Sequence, residues 1–221
     1  MAAAQPGASP SHRRLWLALV ALVAAVAAAL VLPGILDQPS VPAPTAKLVG
    51  DAVWKPATHP APNFTLPTPS GSQVRLSSLR GHMVLVTFMD SLCTTDCPVE
   101  ATELSLMQRK VKLSQRPIIL IVSTDPAGDT PANVNKFIAR YHLGAPYYWL
   151  VGTRAQLAAV WRHYDIEVTS ASTHSSAIYL IDRWGNERVG WGIPFPVSDF
   201  DQSVRRLSAH YSPGWRWPWE L

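Results

Sequence analysis

The sequence predicts a mixed α/β fold, a central sheet with helices on both faces and a hairpin added at its N-terminal side, standing on a single N-terminal transmembrane helix. Three observations carry this prediction. Two apolar, β-branched runs, "HMVLVTF" (82–88) and "IILIVS" (118–123), each lead into an amphipathic helical pattern. A late pair of short strand patterns, "AIYLID" (177–182) and "ERVGW" (187–191), flanks the turn "RWGN". Residues 15–36, "LWLALVALVAAVAAALVLPGIL", carry no charge over 22 positions.

Taken in order, residues 1–14 end in Arg13 and Arg14, and the uncharged run of 15–36 follows. As a helix that run is about 33 Å long, enough for a hydrocarbon core of roughly 30 Å. The basic pair on its N-terminal side places residues 1–14 in the cytoplasm and the rest of the chain on the extracytoplasmic side of a cell membrane. A cleaved signal sequence is the alternative, because small residues abound in "AAVAAAL". No cysteine closes the run, which argues against a lipoprotein. Residues 33–69 hold nine of the 20 prolines, so 37–61 is expected to be an extended spacer.

The folded domain is expected over 62–211. "NFTLPTPSGSQVRLSSL" reads as a hairpin about a Pro/Ser/Gly turn. Pro98, suited to a first helical position, opens a helix with Ala101, Leu104, Met107 and Val111 on one side, which puts Cys97 at a helix N-terminus. Thr130 caps a helix begun by Pro131, with Val134, Phe137, Ile138 and Tyr141 inward. Thr153 and Gln156 form a capping-box pattern ahead of Leu157, Val160, Trp161 and Tyr164. Ser198 begins the last helix, with Phe200, Val204 and Leu207 facing in. The tail, 212–221, is rich in tryptophan, with Trp215, Trp217 and Trp219 alternating with Arg216 and Pro218; docking onto the domain is its expected role, contact with the membrane interface the alternative.

Net charge is +4, but two of the 19 basic residues flank the apolar run, which leaves 17 against 15 acids and no basic block suited to nucleic acid. Two cysteines cannot staple a scaffold, and a domain of some 150 residues buries enough surface without one. Cys93 and Cys97, with three residues between them and Pro98 behind, therefore point to chemistry. A dithiol for disulfide exchange, a peroxide-attacking nucleophile and a clamp for a soft metal are all open to such a pair.

Four segments in register, "PNFTLPTPSGSQVRLSSLRG", the strand feeding Cys-x-x-x-Cys-Pro, "DPAGDTP" and "HSSAIYLIDRWGN", make the chain similar to the Sco/SenC family over about residues 60–211. The resemblance implies a thioredoxin-like fold and a copper-binding metallochaperone that assembles the dinuclear copper site of cytochrome c oxidase subunit II. It implies an unidentified copper donor, copper as Cu(I) or as both Cu(I) and Cu(II), and no substrate turnover in the ordinary sense. It also implies that Cys93 and Cys97 are thiolate ligands and that His174, in the loop "TSASTHSS", is the imidazole ligand. Many family members carry an acid directly before this histidine, where this chain has Thr173.

The chemistry of the residues agrees. Thiolates are soft ligands that favour Cu(I), imidazole suits copper, and a helix N-terminus lowers a thiol's pKa. The other histidines read as surface or capping residues: His12 before the apolar run, His59 in the spacer, His82 at the strand end away from the cysteines, and His142, His163 and His210 near helix ends. Thioredoxins place a cis-proline in the loop that holds His174, but no proline lies between Pro146 and Pro194 here, which leaves room over the dithiol. A peroxiredoxin pattern needs a proline where Asp90 stands, although Thr94 fits it, and structural zinc needs a fourth ligand. The alternative carried forward is a membrane-anchored thiol-disulfide reductase acting on the oxidase copper-site cysteines, with Cys93 and Cys97 as redox thiols. Asp125 and Asp129 read as turn formers ahead of a capped helix.

Overall fold

The two longest β-branched runs become neighbouring parallel strands at the middle of the sheet. The structure is a computed structural model that describes residues 17, 19, 20, 47–170 and 173–208. Contacts divide the chain into Met1–Val41 and Pro42–Leu221, and the elements below belong to the second unit. Strands β1 (Ala52–Val53), β2 (Thr65–Pro67) and β3 (Gln73–Arg75) precede β4 (Val84–Met89). Helix α1 (Asp96–Lys110), β5 (Ile118–Ser123), α2 (Pro131–Tyr141), β6 (Tyr147–Leu150) and α3 (Arg154–His163) follow. Then come β7 (Val168–Ser170), β8 (Thr173–His174), β9 (Ala177–Ile181), β10 (Glu187–Gly192) and α4 (Val197–Ser208).

The main sheet runs β1-β10-β9-β4-β5-β6, with β4 parallel to β5, β5 parallel to β6, and the other pairs antiparallel. Its β10-β9-β4-β5 part is the thioredoxin-like order. Every residue of β4 and β5 is buried, as a strand covered on both faces requires. One face packs Leu85, Met89, Ile119 and Ile121 against α1, α2 and α4; the other packs Val86, Phe88, Leu120 and Val122 against α3 and the β2–β3 hairpin. Side chains alternate between these two cores because successive strand residues point to opposite faces.

The local signals act as expected in α2 and α3. Thr130 Oγ1 accepts from the Asn133 N–H, and Thr153 and Gln156 form the reciprocal capping box. At α1 the structure differs, because the helix starts at Asp96 and Pro98 is its third residue. Proline is tolerated there because the first four N–H groups of a helix have no intrahelical partner. Cys97 still lies in the first turn.

A larger difference concerns residues 47–61, expected in the 37–61 spacer. They are built into the domain. Leu48 is buried against the α1–α4 core, and the Val49 N–H donates to Ser203 Oγ. Ala52–Val53 pairs with β10, the Trp54 N–H donates to the Arg188 carbonyl, and the Glu187 N–H donates to the His59 carbonyl. The prolines at 56 and 60 do not prevent this, because only some backbone groups of an edge segment face the sheet. Strand β6, "YYWL", has no counterpart in the sequence reading.

The apolar run of 15–36 and the tail of 212–221 lie outside the described residues, except that Leu17, Leu19 and Val20 are helical and exposed. Among the described residues no helix is long and apolar enough to cross a membrane.

Docking of the 47–53 segment is testable at Gly50. A methyl group there would overlap Val189 Cγ1 and sit 3.0 Å from the Gly190 carbonyl oxygen. Gly50→Ala is expected to lower unfolding free energy by about 1–3 kcal/mol in urea titration, whereas a free spacer at this point predicts no change.

Candidate metal centre

Cys97 is sealed at the junction of β4 and α1, fully buried, and Cys93 lies just above it in the connecting loop with 8% exposure. Both thiols are free. The Asp90 N–H, at the end of β4, donates to Cys97 Sγ at 3.5 Å. Cys93 Sγ and Thr95 Oγ1 are 3.5 Å apart. These contacts and the first turn of α1 put N–H and O–H donors around both sulfurs, the arrangement that favours thiolate.

The two thiols respond in opposite directions. Burial pushes the Cys93 thiol up, but hydrogen bonds from Thr95 and Cys97 outweigh it and leave the thiol below its ordinary value. Burial pushes Cys97 far up; the Asp90 N–H works against this, while Cys93 and Glu100 add to it.

His174 is brought to the buried thiol by the β7–β8 hairpin, in which Val168 pairs with His174 and the Ser175 N–H donates to the Glu167 carbonyl. His174 Nε2 lies 3.8 Å from Cys97 Sγ. Its Nδ1 lies 3.1 Å from the Ser175 carbonyl oxygen, which can only accept. The proton of a neutral ring is therefore on Nδ1, and the Nε2 lone pair faces the sulfur. A backbone carbonyl thus does the orienting that a carboxylate often does for a metal-ligating histidine. Of the three expected ligands, the structure joins Cys97 to His174 and places Cys93 beside Cys97. Among the described residues no three His, Cys, Asp or Glu side chains are gathered closely enough to hold a metal as they stand.

The sequence reading missed the polar frame beneath the loop. Asp129 is not merely a turn former: it is buried, and its carboxylate accepts from the Ser91 N–H at 2.8 Å and from Trp149 Nε1 at 3.1 Å. Asp125 keeps its turn role, accepting from the Ala127 N–H. Asp90 is buried and caps the Leu92 N–H at 2.7 Å; burial raises its pKa, and Asp129 and Asp125 raise it further. Beneath the dithiol, Glu100 is fully buried, Thr87 Oγ1 donates to its Oε1, and its Oε2 has no hydrogen-bond partner. The period of α1 shows that Glu100 faces inward, one position from Ala101, but an acid on an inward face carries no visible role until its neighbours are known. His59, read as a spacer residue, stacks on Trp54 at 4.9 Å instead.

Burial lifts the Glu100 carboxyl to about 8, against the opposing bond from Thr87. The folded protein therefore holds a proton there that the unfolded chain releases near its ordinary carboxylate pKa. Stability from this group is present at acid pH and is lost as pH rises toward about 8, at up to ~1.4 kcal/mol per pH unit. Glu187, pushed up to about 7, contributes in the same direction. In urea titrations of the reduced protein between pH 5 and 8, Glu100→Gln is expected to flatten this slope without abolishing it. The thiol asymmetry has its own readout: iodoacetamide is expected to modify Cys93 about tenfold or more faster than Cys97, followed by mass spectrometry.

Comparison with known proteins gives one family. Residues 55–189 match the family described as SCO1/SenC. The SCO1 protein homolog of Bacillus subtilis is 32% identical over 95 residues, which cover 42% of this chain and 49% of that protein, so the chain spans about half the length of this curated relative. The crystal structure of Arabidopsis thaliana ScoI with copper bound superposes with a TM-score of 0.59 at 22% identity, over 68% of this chain and 99% of that one. That of BsSco, described as a member of the Sco family of cytochrome c oxidase assembly proteins and carrying a disulfide switch, gives 0.61 at 24% identity, over 73% and 98%.

Proposed function

This chain belongs to the SCO1/SenC family, and from that premise we propose that it binds copper through Cys93, Cys97 and His174 and delivers it to the dinuclear copper site of cytochrome c oxidase subunit II. The observation that carries the reading is the approach of His174 Nε2 to Cys97 Sγ at 3.8 Å with its lone pair directed at the sulfur. Copper is the cargo in this reading. Two thiolates and one imidazole form a donor set suited to Cu(I), and a soft ion replaces the proton that burial holds on Cys97. The Asp90 N–H and the first turn of α1 then stabilise the Cys97 thiolate. Anchoring by residues 15–36, with the domain on the extracytoplasmic side, belongs to the same proposal and rests on the 22 uncharged positions after Arg13 and Arg14.

A second reading, thiol-disulfide reductase, is favoured by the opposite shifts of the two thiols. In it the Cys93 thiolate attacks one sulfur of an oxidised copper-site disulfide, forming a mixed disulfide and releasing the other sulfur as a thiol. Cys97 then gives up its proton and attacks Cys93 Sγ, which frees the second substrate thiol and leaves a Cys93–Cys97 disulfide. An external dithiol must reduce that disulfide before another cycle.

Anaerobic titration of the reduced protein with Cu(I) against a competing chelator tests the first reading. One copper per chain is expected; Cys93→Ser with Cys97→Ser abolishes binding, and His174→Ala weakens it by on the order of tenfold or more, the thiolates carrying most of the affinity. With a reduced subunit II fragment as acceptor, copper moves to the fragment and His174→Ala slows the transfer. Metal-free reduction of the oxidised fragment that is indifferent to His174→Ala decides for the reductase.

A further inference from the structure

Away from the dithiol, a cavity of about 300 Å³ opens between β1, β9, β10 and the end of α3. Its floor includes Gly190 and Gly192, and a Cβ at Gly192 would meet nothing nearer than Asp51 Oδ2 at 3.7 Å. Trp54, His59, Tyr164, Asp165, Tyr179 and Glu187 line it.

The aromatic part is rigidly assembled. Trp54 stacks on His59 at 4.9 Å and on Tyr179 at 6.4 Å, and Tyr164 meets Tyr179 edge-on at 5.3 Å. Tyr179 OH donates to the Tyr164 carbonyl, and Tyr164 OH donates to the Pro62 carbonyl. These hydroxyls are already used, so the rings present apolar faces to the cavity.

Glu187 is the anomaly. The register of β9 with β10 shifts between Glu187 and Val189, a bulge that lets Glu187 line the same cavity as Tyr179. Its side chain is only 4% exposed, and its carboxylate pairs with His59 Nε2 at 3.5 Å, a long contact to a half-exposed ring. A buried carboxylate held by so long a contact is incompletely compensated, and such a group in a cavity wall calls for an explanation. Asp165 raises the cost: after burial itself, it is the second cause that lifts the Glu187 carboxyl to about 7. Asp51 adds a third carboxylate, and no lysine or arginine is among the lining residues.

We propose that this cavity binds an organic cation, a guanidinium or primary ammonium head, with Glu187 as its buried counter-ion and Trp54 and Tyr179 as its aromatic wall. A cation seated there gives Glu187 a closer charged partner than His59, relieves its repulsion with Asp165, and gains from the ring faces. A guanidinium fits the combination best, because it can pair with a carboxylate through two N–H groups while stacking flat on an aromatic ring. The cavity matches the smallest small-molecule sites in volume and is closed by rings that are held in place before anything enters.

Calorimetric titration of the full chain with agmatine tests this, with acetyl-arginine amide in a parallel arm. Saturable one-to-one binding is expected, about tenfold weaker in Glu187→Gln and weaker in Trp54→Leu, but unchanged in Asp201→Asn on α4. Agmatine binding alone assigns the site to free small cations, and binding of acetyl-arginine amide extends it to arginine side chains of proteins. If circular dichroism shows that Glu187→Gln is unfolded, Asp165→Asn decides, with weakened agmatine binding supporting the proposal and unaltered binding overturning it. No saturable binding of either probe at millimolar concentration, or equal binding by the parent chain and a folded Glu187→Gln, also overturns it. None of these readouts involves copper, so failure here leaves the metallochaperone reading untouched, and the reverse.

Discussion

The chemistry of this protein depends on one burial, that of Cys97 in the first turn of α1 behind the end of β4. A fully enclosed thiol is held protonated by desolvation. Of the surrounding groups, a backbone N–H from Asp90 and the N-terminal turn of a helix work the other way, and an imidazole nitrogen lies 3.8 Å from the sulfur. The site is thus poised between a thiol and a thiolate, and a soft metal ion or a disulfide bond can each take the place of the proton. Both readings of the family's function grow from that single tension, which is why the same two cysteines serve either.

The tension is sustained by a frame of hydrogen bonds around the cysteine loop and the His174 ring. Asp129 holds the cysteine loop through the Ser91 N–H and the adjacent sheet edge through the indole of Trp149. Asp90 fixes the start of the loop at Leu92, and the His174 ring is held by its neighbour's carbonyl. Each bond spans two elements or pins a loop end, so the positions of the thiols and the imidazole are set by the fold and not by the thiols.

Much of this was legible in the sequence, for definite reasons. β4 and β5 could be read because a strand buried on both faces has to be apolar throughout, and α2 and α3 because their caps are local chemistry. Cys93, Cys97 and His174 could be named through family resemblance; spacing alone left three chemistries open. The failures share a physical cause. Strand β6 is four residues of aromatic and leucine after a proline, too short for a period to show. Asp129 looks like any turn aspartate until a strand distant in sequence brings Trp149 to it. Residues 47–61 look like a spacer because their prolines suppress local structure, while their partner, β10, lies more than 120 positions away. The bulge at Glu187 leaves no mark in a hydrophobic pattern. Long-range pairing decides each of these cases, and a local reading has no access to it.

The way residues 51–61 close the β10 edge has a consequence for how copies of the protein meet. The Gly192 N–H is taken by Asp51, Gly190 pairs with Ala52, the Arg188 carbonyl receives Trp54, and the Glu187 N–H is satisfied by His59. At the opposite edge the Val151 N–H, just past β6, is taken by the Pro67 carbonyl of the hairpin. A sheet with a row of open donors and acceptors at its rim recruits strands from other chains and grows into aggregates. Here the rim of β10 is spent on the protein's own backbone, so high local concentration does not by itself drive sheet-to-sheet association through that edge.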